Sequence, residues 1–159
     1  MTAQRQPAVA FEQHEIRTDE STRSARLKWV IVVDETLAPG LQVNASACVA
    51  AATGSAVEGL LGPDASDADG ATHPGLPWAG CTVLGASPER LTALRVAAVA
   101  AEETLVVDMP TAAQTTRVYD EYLKVMSRTE LAATAPLAVS LIGPRSQVDR
   151  LVKKLSLLR

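Results

Sequence analysis

Residues 108 to 116 read Asp-Met-Pro-Thr-Ala-Ala-Gln-Thr-Thr, so one carboxylate (Asp108), one carboxamide (Gln114) and three hydroxyls (Thr111, Thr115, Thr116) fall on one strand-to-helix connection. Such a set can orient a water or hydroxyl for attack and steady a carbonyl oxygen. Asp108 would act as general base, and Gln114 with Thr115 would bind the carbonyl. Helix capping by Thr111 or Thr115 fits the same residues, because Ser, Thr and Asp are favoured at N-caps. A second acid, Asp34, ends an apolar run, and Asn44 lies on the helix-like stretch after it. If both acids end strands of one sheet, they look into one crevice, where Asp34, Asn44, Thr111, Thr116 and Tyr119 would hold a substrate. Acids at strand ends also cap or turn the chain, so that reading stays open beside the first. Core packing accounts for Tyr119 and Tyr122 as well as a role in lining the crevice does.

Several other chemistries lack their residues. DASDADG resembles a calcium loop, but counting from Gly70 puts Ala65 and Leu76 at two of the ligand positions, so a solvated turn is expected. His73 is the one histidine beyond the N-terminal segment, which leaves neither a two-histidine zinc site nor a Ser-His-Asp triad. The sequence has no GxxxxGK[ST] and no GxGxxG. Cys48 and Cys81 form no CxxC pair and are expected to be buried thiols of a reducing compartment. No cofactor is expected. Arg145, Arg150, Lys153, Lys154 and Arg159 crowd the last helix and tail, where a solvated face and an anion-binding patch are the two readings. A formal charge of -3 argues against a generic polyanion binder.

The elements that must position these residues follow from the periodicity. A chain of 159 residues suits one compact domain. Residues 1–26 are polar, mixed in charge and without a sustained period, and are expected to form a flexible N-terminal arm with a solvated His14; residues 27–159 form a single α/β domain. The start lacks the apolar core of a secretory signal and no stretch is long and apolar enough for a membrane span, so a soluble, cytoplasmic protein with no membrane partner is expected. KWVIVVD, 28–34, is continuously apolar and suits a central strand covered on both faces. After Pro39-Gly40, the positions Leu41, Ala45, Cys48, Val49 and Ala52 share one helix face. A Gly-, Pro- and Asp-rich connection with short strand fragments then leads to a strand over 79–86. Ser87-Pro88-Glu89 opens a helix to about residue 101. Further strands are expected over 104–109 and 137–143, and further helices over 113–127 and 146–158. Strands separated by helices imply a three-layer α/β/α sandwich.

The blocks KWVIVVDETLAPGLQVNASACVAAATG, GPDASDADGATHPGLPW, VVDMPTAAQTTRVYDEY and AVSLIGPRSQVDRLVKKLSLLR together resemble domain-of-unknown-function family two thousand, over nearly the whole chain after residue 26. That family is similar in fold to the type-two peptidyl-tRNA hydrolases. The resemblance implies a four-stranded mixed sheet between helices and a possible homodimer. It also places Asp108 on the hydrolases' aspartate, with Thr111 and Gln114 at slightly altered spacing. The hydrolases' lysines, Gln and His on the first helix are missing here: Leu41 and Val43 follow Gly40, with Ala47 and Ala50 in the Gln and His places. With the acidic charge, this makes tRNA an unexpected partner. Two readings follow. One is a hydrolase-like crevice acting on a small ester or amide; the other is a noncatalytic ligand-binding or dimeric regulatory domain.

Overall fold

A computed structural model describes residues 8–159 of the chain. Its centre is a mixed sheet built from β1 (Leu27–Asp34), β4 (Thr82–Ala86), β5 (Leu105–Pro110), β6 (Pro136–Pro144) and β7 (Ser156–Leu157), in the order β5-β6-β1-β4-β7. A separate hairpin of β2 (Ala65–Ser66) and β3 (Thr72–His73) lies in the Gly- and Pro-rich connection. There the Asp67 carboxylate closes the turn by accepting from the backbone N–H of Asp69 and Ala71.

β1 runs parallel to β4 and antiparallel to β6, and β5 runs antiparallel to β6. The unbroken apolar run of β1 is explained by cover on both faces. Trp29, Ile31 and Val33 join the core under α1 (Pro39–Ala56), while Val30 and Val32 join the core under α2 (Pro88–Val99) and α5 (Arg145–Val152).

The sheet has five strands where four were expected. The last helix was expected to reach residue 158, but it stops at Val152; Ser156 and Leu157 then pair with Gly85 and Leu84. Two strand residues at this place satisfy backbone groups on the outer edge of β4, which a longer helix would leave unpaired. The helix expected over 113–127 is also two pieces, α3 (Thr111–Thr115) and α4 (Tyr119–Met126). Thr116 takes extended backbone angles between them, and the β-branched Thr115, Thr116 and Val118 give the helix little reason to continue.

On α1 the buried stripe is Ala45, Val49 and Thr53, whereas Leu41, Cys48 and Ala52, placed on the same expected face, are exposed. Thr53 brings a polar group into the core. Its Oγ1 donates to Val49 O at 2.7 Å and lies 2.7 Å from Ser140 Oγ, which accepts from Trp29 Nε1 at 2.8 Å. With the Thr53 proton used on Val49 O, Ser140 must donate to Thr53. The buried hydroxyls therefore form a chain of hydrogen bonds with one direction.

Residues 8–26 were expected to belong to a flexible arm, but they pack on the domain. Val9 and Phe11 are buried, Phe11 N donates to Glu58 O at 2.9 Å, and the Phe11 ring meets Trp78 edge-on at 4.9 Å. Arg145 fixes the arm's far end by donating to Ala25 O at 3.1 Å and Thr22 O at 3.0 Å. Burying a Phe contributes roughly 2 kcal/mol, enough to hold a short segment whose polar residues hide it from a periodicity search. Residues 1–7 of the expected arm lie outside the described residues. His14 is exposed as expected, beside Glu12.

Candidate functional site

β1, β4 and β5 point the same way, so Asp34, Ala86 and Asp108 approach the same end of the sheet. The two acids nonetheless do not share a crevice. β6 lies between their strands, a separation of roughly 10 Å at the usual strand spacing. Asp34 is only 5% exposed, and its Oδ1 accepts from Thr36 N at 2.9 Å and Thr36 Oγ1 at 2.6 Å. It closes the turn that carries the chain from β1 toward α1.

Asp108 lines an open cleft of about 420 Å³ at the outer edge of β5. The sheet pleat sends Val107 and Met109 toward α1, while Asp108 shares a face with Val139 and Val32. On that face Asp108 Oδ2 lies 3.3 Å from Arg95 Nε of α2, with the two side chains 17% and 19% exposed. Because β5 is an edge strand, residues from both its faces reach the cleft.

The cleft has an apolar floor of Val49, Ala52, Val107, Met109 and Ala113. Its wall is an aromatic pair: the rings of Tyr119 and Tyr122 meet at 5.4 Å and 63°. Tyr119 is 73% exposed, although the helix period alone fits core packing equally well. Burial raises the Tyr122 phenol above its ordinary pKa, with smaller contributions from Tyr119 and Asp108. Cys48, Thr116 and Arg117 supply the remaining polar lining. Both cysteines, expected as buried thiols, are exposed: one belongs to this cleft and the other, Cys81, lies just before β4.

The remaining polar residues proposed for chemistry are largely engaged locally. Thr111 Oγ1 donates to Ala135 O at 2.7 Å and fastens the start of α3 to the segment before β6. Thr115 Oγ1 lies 3.3 Å from both Thr111 O and Ala112 O, and Thr116 Oγ1 donates to Ala112 O at 2.8 Å. Gln114 Nε2 donates to Asn44 Oδ1 at 3.4 Å, which brings two expected site residues together as a clamp between α3 and α1. Of the expected set, Asp108, Thr116 and Tyr119 line the cleft. Asp34, Asn44, Thr111, Gln114 and Thr115 do not.

Arg95 is the residue that sequence reasoning passed over. It follows Leu91 by one helical turn on a face that also buries Leu94 and Ala98. A cation on an apolar stripe needs a carboxylate partner, and that was the available signal. Among the described residues no group of three His, Cys, Asp or Glu side chains could hold a metal ion, and no helix is long and apolar enough to cross a membrane.

A structure of a protein of unknown function from Agrobacterium tumefaciens strain C58 is similar to this one, with a TM-score of 0.73 at 18% identity over 83% of this chain and 97% of the other. At that identity the likeness establishes a common fold. Curated proteins give no match. The family model described as "Protein of unknown function (DUF2000)" matches residues 27–159, the whole span from the first strand of the sheet onward. The chain thus belongs to the DUF2000 family.

Proposed function

We propose that the protein is a small-molecule binding domain, with the cleft beside β5 as its site and without turnover of its own. One observation carries this reading. The cleft is open, with Ala52 and Tyr119 exposed beside an apolar floor, while the hydroxyl protons of Thr111, Thr115 and Thr116 and the amide of Gln114 are committed to bonds within or between helices. A ligand would lay an apolar body on Ala52 and Val107 against the tyrosines, and its polar group would reach Asp108 or Arg117.

The second reading, hydrolysis of a small ester or amide, is favoured by the Asp108 carboxylate on the cleft wall. The same position supports the likeness to type-two peptidyl-tRNA hydrolases, with Asp108 as base. A tRNA partner is not part of either reading. The homodimer implied by that likeness would use the outer face of α1, which carries no charged residue and exposes Val43. A cytoplasmic location is likewise proposed.

Anilinonaphthalene sulfonate and p-nitrophenyl acetate separate the readings. The dye is expected to bind saturably, and Ala52→Trp, which fills the floor, is expected to weaken it about tenfold. The ester is expected to hydrolyse at the buffer rate. Dye binding that ignores Ala52→Trp would remove the binding site, and enzyme-dependent hydrolysis abolished by Ala52→Trp would establish the hydrolase.

A further inference from the structure

We propose a second site, independent of the cleft: the groove between α2 and the end of α5 binds a single-chain aliphatic amphiphile with a phosphate monoester head. The groove has a volume of about 360 Å³. Its floor is aliphatic, formed by Ala93, Leu94 and Ala97 of α2 with Leu151 and Leu155. Its rim is Arg90, Arg150, Lys153 and Lys154, and no carboxylate among the described residues lines it.

None of these four cations takes part in the ion pairs found among the described residues. Four unpaired cations over one groove run against the balance of a chain whose formal charge is -3. Cations near a helix C-terminus complement its dipole, which accounts for Arg150, Lys153 and Lys154 as helix stabilisers. Arg90 does not fit that explanation. It lies in the first turn of α2, where the dipole disfavours a cation, and its Nη2 reaches across to donate to Lys154 O at 2.7 Å. The two helix ends are thereby tied, and the rim charges are gathered over an uncovered aliphatic floor.

The occupant follows from the lining. The floor has no ring to stack on and no hydroxyl to hydrogen-bond, so it selects alkyl groups; the rim selects multiple negative charge. Leu94 is buried and Leu151 and Leu155 are half-buried, so a flat bilayer surface does not reach them and a chain must enter the groove. The volume lies at the small end of ligand pockets, which suits one alkyl chain.

The test uses the full chain and monododecyl phosphate below its micelle concentration, followed by isothermal titration and by amide chemical shifts. Saturable binding is expected, with shifts mapping to residues 90–97 and 150–155. The double variant Lys153→Ser/Lys154→Ser and the floor-filling Ala97→Trp are each expected to weaken binding about tenfold. Equal binding of dodecyl maltoside, or of inorganic phosphate, would overturn the proposal by showing that tail or charge alone suffices. So would shifts that map to Tyr119 and Tyr122 while residues 90–97 and 150–155 stay unmoved. Co-sedimentation with phosphatidylglycerol vesicles without binding of the monomeric phosphate would assign the cations to a membrane surface and overturn it as well. Because the shifts are read on the unaltered protein, the result does not depend on either variant folding, or on the cleft having a ligand.

Discussion

The Arg95–Asp108 pair is expected to be a structural clip whose loss is felt in stability before it is felt in any activity. At 3.3 Å and with both side chains less than a fifth exposed, the pair attracts by about 5 kcal/mol at an effective dielectric near 20, most of it offset by the desolvation of both ions. Arg95→Met leaves the Asp108 carboxylate without its partner. Removing one member of a buried pair costs roughly 3–5 kcal/mol; since Asp108 also opens to the cleft, about 2–3 kcal/mol is expected. Asp108→Asn strands the arginine instead and should cost about 2 kcal/mol. The double variant should cost about 2 kcal/mol less than the sum, because the second change relieves what the first creates. Urea unfolding followed by circular dichroism on the four proteins yields this coupling from midpoints at a common slope. Additivity to within about 0.5 kcal/mol would refute the clip, and would mean that the two side chains lie close without holding α2 to the edge strand.

Ser140→Ala removes the acceptor of Trp29 Nε1 and the donor to Thr53, and should lower stability by about 2–4 kcal/mol in thermal unfolding; adding Trp29→Phe should recover part of that loss. Gly59 has φ +74° and a Cβ there would stand 2.6 Å from Phe11 O, so Gly59→Ala should cost about 2 kcal/mol or displace the arm, seen as faster tryptic cleavage at Arg17. Hydrogen bonding to Arg26 lowers the Glu15 carboxyl from 4.5 to about 2, with its small burial opposing. The stabilisation is therefore complete above pH 4.5 and disappears as pH falls toward 2. Allowing for the exposed Arg26, it is about 1 kcal/mol; Trp78 fluorescence across that acid range should change later in the native protein than in Glu15→Gln.

The four longer strands of the sheet were legible because a strand covered on both faces must be apolar at successive positions, as 28–34 and 137–143 are. Ser87-Pro88-Glu89 marked the start of α2 for an equally local reason, the N-cap. What escaped detection depends on distant partners. Ser156 and Leu157 fit a helical period and become a strand only because β4 has an open edge. Val9 and Phe11 are two apolar residues in a polar segment, given meaning by Glu58 and Trp78. Site residues divide in the same way. Asp108 was found because a strand end is visible in sequence. That Asp34 serves its own turn follows from a contact with Thr36 that sequence allows but does not require.

β6 is the late insertion in this fold. It is made after every other long strand, yet it sits between β1 and β5 and, among the described residues, is the only strand that β5 pairs with. A growing chain that has not yet released residues 136–144 therefore holds two apolar strands with an unfilled slot between them. β1 can meet β4 early, but β5 must wait. Synthesis stalled at that stage would leave the partner-seeking edges of β1 and β5 exposed together.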